Sequence, residues 1–276
     1  MRKTIVLASL LAMASCITEG TDPQVMPDGG MAADANMTPD ACVGAGCGTM
    51  TGNCPAGMVW VSPTTCIDAK EATVSDFLQF ANSLGTACDD PGPTCTACGG
   101  KRCFTSNVDN PWGYEDGSWY IEGAIGMSLQ HPARYVTHAA AKSACAFKGK
   151  RLCRADEWER ACSGPTGLAY PYGNTYEAGR CNSGSGVLGG TPWKVGDRPQ
   201  CSSTSAPSLV DMSGNVWEWT SECSGNNCVL RGGSFNVDGS FFPTALSCDG
   251  TKTHDQANEV FGTDYDFGYR CCAAPL

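Results

Sequence analysis

The chain has 276 residues, 42% of them hydrophobic, which is length and apolar content enough for one globular domain with a sizeable core. A formal net charge of -10 leaves no basic surface to follow a phosphate backbone, and this argues against nucleic acid as a partner. Nineteen cysteines against three histidines point to an oxidising compartment rather than to a histidine-rich metal centre.

The first sixteen residues read as an export signal. Arg2 and Lys3 precede a short apolar run from Thr4 to Met13, too short to span a bilayer but the right size for the hydrophobic region of a secretory signal. Met13-Ala-Ser-Cys16 then resembles a bacterial lipobox, which makes Cys16 the expected lipidated residue and the lipid the expected membrane anchor. The other reading is an ordinary cleaved signal with Cys16 in the mature chain. Residues 17–50 contain no aromatic residue and are rich in Gly, Asp, Pro, Thr and Ala, a composition that cannot offset its chain entropy by burial and is expected to form a flexible tether. Cys42 and Cys47 belong to the edge of the folded part, expected over residues 51–276. Without Cys16, eighteen cysteines remain, an even number that suits disulfides. Zinc at Cys95 and Cys98, with Cys88 and Cys103 nearby, has the right spacing, but oxidation is the commoner fate in an exported chain.

Within the domain, Met58-Val-Trp-Val61 has strand composition. From Thr73 to Leu84 the apolar residues Val74, Phe77, Leu78, Ala81 and Leu84 recur on one helical face, and Thr73 can cap that helix. Residues 85–102 are dominated by Cys, Gly, Pro, Asp and Thr and read as a stapled loop. Trp112, Tyr114, Trp119 and Tyr120 follow among glycines and acids, and packing of irregular backbone is expected of them. A second helix is expected from about Thr137 to Phe147, with Thr137 as its cap, and a third over Ala155 to Cys162. In the third, Glu157 and Glu159 are expected to form ion pairs with Arg151, Arg154 or Arg160 rather than an acid and base pair. Beyond it, glycine and proline interrupt almost everything, leaving strand-like fragments at Trp193-Lys-Val195, Trp217-Glu-Trp-Thr220 and Val229-Leu-Arg231. His131, His138 and His254 are too scattered to suggest a local iron-binding motif. Periodicity alone gives an irregular α+β domain.

The densest chemistry lies in Ser208-Leu-Val-Asp-Met-Ser-Gly-Asn-Val-Trp-Glu-Trp-Thr220. It interleaves Trp217 and Trp219 with the carboxylates Asp211 and Glu218, so something positive is expected to neutralise the acids beside the core, a bound cation being the simplest candidate. This run, with Gly149-Lys-Arg-Leu-Cys-Arg-Ala-Asp-Glu-Trp-Glu-Arg-Ala-Cys162, Tyr170-Pro-Tyr-Gly-Asn174, Val229-Leu-Arg-Gly-Gly-Ser-Phe235 and Phe267-Gly-Tyr-Arg-Cys271, resembles the formylglycine-generating enzyme, or sulfatase-modifying factor, family. Met58-Val-Trp-Val61 and Lys70-Glu-Ala-Thr73 match its opening, and His131-Pro-Ala-Arg-Tyr-Val136 resembles its strand before the second helix.

The resemblance implies a loop-rich, disulfide-linked C-type-lectin-like fold and a calcium ion on the Asp211 and Glu218 side chains and the Gly214 and Val216 carbonyls. Active members oxidise a sulfatase cysteine to formylglycine with copper(I) held by two thiolates just after the Arg-Gly-Gly-Ser-Phe motif. Here Val237 takes the place of the first thiolate, and no cysteine stands between Ser234 and Cys248, so copper is not expected. A second family calcium would start at Asn182 and Ser183, but residues 184–191 contain no acid to complete it. The resemblance also pairs Cys162 with Cys248 and Cys145 with Cys271, while Cys223 and Cys228 could close a short hairpin. The expected function is an exported, calcium-stabilised module that binds a protein, peptide or glycan at the cell envelope, periplasmic or on the surface. The alternative is an oxidoreductase acting on protein cysteine through a rearranged metal site.

Overall fold

In the computed structural model of the chain, residues 53–84, 112–115, 118–121, 128–184, 190–255 and 265–276 are described. The signal segment with Cys16, the tether and the cysteines from Cys88 to Cys103 lie outside them.

Strand β1 (Met58–Ser62) turns directly into β2 (Thr65–Asp68), and the two pair antiparallel. Helix α1 (Val74–Ser83) follows, where Thr73 and Asp76 form a reciprocal capping box that satisfies the first free amides. Val74, Phe77, Phe80 and Ala81 are buried, with Leu78 and Leu84 packed at the edge of the same cluster, so the apolar face is one residue wider than the periodicity indicates. Residues 112–121, expected to be irregular, carry a hairpin of β3 (Trp112–Glu115) and β4 (Ser118–Ile121). Helix α2 (His138–Phe147) is capped by Thr137, β5 (Arg151–Leu152) follows, and α3 (Ala155–Ser163) buries Trp158, Ala161 and Cys162.

Two expected strands do not form. Between His131 and Val136 only Pro132 and Val136 make single bridges, Pro132 to Thr73, and Tyr135 has a φ of 61° that no strand accommodates. At Trp193–Val195 the amides are taken elsewhere: Trp193 donates to the Asn215 side chain and Val195 to the Gln130 carbonyl.

The second half builds β6 (Trp217–Ser224), β7 (Asn227–Arg231), β8 (Thr251–Asp255), β9 (Phe267–Tyr269) and β10 (Cys271–Ala273). One four-stranded sheet has the order β1-β2-β10-β5 and the other β8-β7-β6-β9, with β6 and β9 parallel. Strands β9 and β10 are separated by a single residue, Arg270, at which the chain passes from one sheet to the other. The close pairing of β6 with β9 needs Gly268, because a Cβ there would lie 2.6 Å from the Ala133 carbonyl oxygen.

Six disulfides tie the described residues together. The pairs Cys145–Cys271, Cys162–Cys248 and Cys223–Cys228 are those anticipated, and Cys54–Cys66, Cys153–Cys272 and Cys181–Cys201 join them. Neighbouring side chains on a strand face opposite sides, so Cys271 and Cys272 of β10 reach different partners, one on α2 and one beside β5. Closing loops of 126 and 119 residues, these two bonds each remove about 5 kcal/mol worth of denatured-state entropy, against about 2 kcal/mol for Cys223–Cys228, which closes five. No helix among the described residues is long and apolar enough to cross a membrane.

Candidate functional site

The double-tryptophan strand carries a fully buried ion pair. Glu218 and Arg270 are both 0% exposed, and the guanidinium grips the carboxylate through Nε at 2.7 and 2.9 Å and a terminal nitrogen at 2.7 Å. Trp158 of α3 donates its indole N–H to the same carboxylate at 2.6 Å. The remaining guanidinium hydrogens go to the carbonyls of Asp68, Val210 and Asp211. The positive charge beside Glu218 is therefore supplied by the protein's own Arg270.

Glu71, on the link between β2 and α1, adds a third carboxylate. Its two oxygens accept from the Val216 amide at 3.1 Å and the Asn215 side chain at 2.5 Å, which fixes the turn before β6. That turn is tightly wound: Asp211 and Asn215 have positive φ, and Gly214, with φ of 80°, has no room for a Cβ, which would lie 2.1 Å from the Asn182 carbonyl oxygen. Burial drives the Glu71 carboxyl well above its ordinary range, and the charges of Asp211 and Glu218 push it further. Burial also lifts Asp211 to about 6 against the opposing pull of the Gly196 amide and Arg270. Arg270 is drawn down by burial but held above its usual value by Glu218.

The donor set for calcium fits in three of its four positions. The buried carbonyls of Gly214 and Val216 accept no hydrogen bond among the described residues, and Asp211 receives one amide, from Gly196 at 2.6 Å. Glu218 differs, since both its oxygens already serve Arg270 and Trp158. At the second position, Asn182 donates to Thr191 and Asn215 while its own buried Oδ1 has no partner, and the Ser183 hydroxyl meets that of Tyr176 at 3.0 Å.

After Arg231-Gly-Gly-Ser-Phe235 the chain borders a groove of about 620 Å³, where Val237, Phe242 and Ala245 provide apolar wall and Asp238 and Asp249 provide carboxylates. The lining contains no thiol, and within it Phe242 is 64% exposed, next in sequence to Phe241 at 77%. Ser234 is fully buried and donates to Asp266 at 2.5 Å, so it does not face the groove. Arg231 is likewise engaged, with Glu159 at 3.0 Å and the Asp249 carbonyl at 2.8 Å. Glu157 pairs with Arg151 rather than with Arg160. His131, through Nδ1, accepts from the Ser128 amide, and His254 packs edge-on against Trp219. Among the described residues, one group of metal-ligand types has its atoms within 4.8 Å of one another: His138 with the disulfide-bonded Cys223 and Cys228.

Breaking the ion pair from one side strands a buried charge, whereas removing both charges together leaves none. Glu218→Gln is expected to lower the unfolding free energy by about 3–5 kcal/mol, and Glu218→Met combined with Arg270→Leu to recover much of that loss. Urea unfolding of the two variants checks this; equal losses would show that packing, not charge, dominates.

Residues 18–275 match the model of the sulfatase-modifying factor enzyme 1-like domain. The chain is 31% identical over 163 residues to the inactive C-alpha-formylglycine-generating enzyme 2 of Bos taurus, covering 54% of this chain and 52% of that protein. It is 26% identical over 260 residues to the formylglycine-generating enzyme of Mus musculus, covering 76% of this chain and 66% of that one. It thus spans about half the length of the inactive relative it matches. Among solved structures, PvdO from Pseudomonas aeruginosa superposes with a TM-score of 0.54 at 15% identity, over 77% of this chain and 80% of its own. CarF superposes with a TM-score of 0.50 at 17% identity, over 77% and 86%. Both share the fold. Because the family model matches residues 18–275, the chain belongs to the sulfatase-modifying factor enzyme 1-like family.

Proposed function

We propose that this chain is an exported binding module of its family that has lost copper chemistry, is stabilised by calcium at the double-tryptophan turn, and holds a peptide segment in the groove behind Phe241 and Phe242. The observation that carries the reading is the groove wall itself: Val237, the position of the first thiolate in the family resemblance, lines it, and the lining contains no thiol where copper(I) would need a soft pair. A groove of about 620 Å³ is of ligand-binding size, and its combination of apolar wall and two carboxylates suits a segment with a basic residue beside an apolar one. The similarity to a relative named as inactive agrees with this. The protein is expected not to convert a sulfatase-derived cysteine peptide to its aldehyde when supplied with oxygen and copper(I). From a displayed peptide library it should enrich basic, apolar sequences whose binding weakens at least tenfold in Phe242→Ala. Aldehyde formation would instead establish the oxidoreductase reading, and enrichment unaffected by Phe242→Ala would remove the groove from it.

Calcium in this proposal sits on Asp211 and the carbonyls of Gly214 and Val216, with Glu218 shared between the ion and Arg270. The orphaned buried carbonyls support it, as does an excess of three carboxylates over one guanidinium. The ion would supply structural charge balance only. The pH dependence has a definite sign. Asp211 is raised in the folded state from 3.8 to about 6, so between roughly pH 4 and 6 the folded chain holds a proton that the unfolded chain has released. Calcium-free protein should therefore gain stability on going from pH 7.5 to 5.5, by on the order of 1 kcal/mol. Asp76 and Glu157 are lowered, and their support is lost only below their ordinary values of 3.8 and 4.5, outside this window. Saturating calcium should raise the melting temperature at pH 7.5 and do so less at pH 5.5, as Asp211 protonates. Melting curves identical with calcium and with chelator at pH 7.5 would count against the site.

Six disulfides among the described residues suit an export compartment. Retention there on the membrane through a lipidated Cys16 completes the proposal. Cys16→Ala should move the protein to the soluble fraction, and unchanged partitioning would leave the chain as a module without a lipid.

A further inference from the structure

The hairpin of β6 and β7 ends in a disulfide unlike the others. Cys223 and Cys228 face each other directly across the two strands, with Cα atoms 4.0 Å apart and only Ser-Gly-Asn-Asn between them in sequence. The strand ladder, flanked by β8 and β9, already holds the hairpin closed, so the bond adds little that the sheet does not supply. Among the described disulfides it alone has an exposed cysteine: Cys223 is exposed, while Cys228 beneath it is fully buried. A thiolate from solution can reach the Cys223 sulfur and no other in the set as readily.

His138 stands beside this pair. As the first residue of α2 it is held edge-on against Trp219, with ring centroids 5.6 Å apart, and its Nε2 lies 3.6 Å from the Cys223 sulfur and 2.8 Å from the Thr220 carbonyl. The nitrogen and both sulfurs lie within 4.8 Å of one another. Zinc–sulfur and zinc–nitrogen bonds of about 2.3 and 2.0 Å place such donors within about 4 Å of each other, so small side-chain rotations after the sulfurs part suffice. We propose that the Cys223–Cys228 disulfide is exchangeable and that its reduced form, with His138, is a binding site for a thiophilic cation of the zinc class.

The chemistry balances with a dithiol as reductant. The dithiol gives two electrons and two protons, itself becoming a disulfide, and Cys223 and Cys228 become thiols. Zinc then displaces both thiol protons and binds two thiolates and the imidazole Nε2, which gives up its contact with Thr220. A fourth position remains for water at the exposed edge. Two sulfurs and a nitrogen are the soft donor set that the groove lacks, and this site is independent of what the groove binds.

The full-length protein would be treated with graded dithiol, its open thiols mapped by alkylation and mass spectrometry, and then titrated anaerobically with zinc against a chromophoric chelator. Cys223 and Cys228 are expected to open before the other pairs. The reduced parent should then bind one more equivalent of zinc than a Cys223→Ser/Cys228→Ser variant. His138→Gln, which can still donate to the Thr220 carbonyl, should bind at least tenfold more weakly. A pair that stays oxidised while others open, or a double-serine variant that binds as much zinc as the parent, would overturn the proposal.

Discussion

The contact on which this structure turns is the grip of Arg270 on Glu218. Arg270 is the single residue between β9 and β10, where the chain leaves one sheet for the other, and Glu218 lies on the strand that β9 joins in parallel. The ion pair with its Trp158 contact thus fastens the two sheets and the third helix at one point from which water is excluded. A pair at zero exposure adds little net stability, because desolvating both ions offsets most of their attraction. What it does instead is penalise every arrangement in which either partner is buried alone, and so it fixes how the sheets meet. The interleaving of tryptophan with carboxylate in the β6 strand follows: the tryptophans provide the dry surroundings and the arginine makes an acid tolerable there.

One arginine does not balance three acids. Glu71 and Asp211 share the same interior, and burial first, then repulsion by the neighbouring carboxylates, raises their protonation. The turn from Asp211 to Val216 is bound on several sides, by Glu71 to two of its residues and by the Asn182 carbonyl, which accepts from the Asn215 amide and fills the space where a Cβ on Gly214 would stand. Such a turn keeps its carbonyls pointed in fixed directions whatever the protonation state, which is the property a hard-cation site requires.

The helices were legible in the sequence because their signals are local. Thr73 and Thr137 stand immediately before apolar residues at helical spacing, and both serve as caps where expected. Trp193–Val195 misleads for the opposite reason. Its composition suits a strand, but its amides are claimed by the Asn215 side chain and the Gln130 carbonyl, partners that no local pattern reveals. The partners of Glu218 and Val216 come from Arg270 and Glu71, 52 and 145 residues away. Both lie inside stretches that carry the family resemblance, Phe267-Gly-Tyr-Arg-Cys271 and Lys70-Glu-Ala-Thr73, so a signal existed. What the sequence lacked was the pairing. The same holds for His138 beside Cys223, 85 residues apart.

The groove separates scaffold from chemistry. Behind it, Ser234 is locked to Asp266, Arg231 to Glu159 and the Asp249 carbonyl, and Cys248 to Cys162. The Ser234 and Cys248 contacts are buried and Glu159 is the half-exposed member of the set, and together they hold the loop from behind. Apolar residues such as Val237 and Phe242 in the lining cost the fold little, since an apolar residue on a wall leaves no polar group unpaired behind it. Replacing Ser234 or Arg231, by contrast, would remove a contact to Asp266 or to Glu159 and the Asp249 carbonyl and disturb the loop itself. Physical constraint thus falls on the residues behind the groove and is lighter on its face.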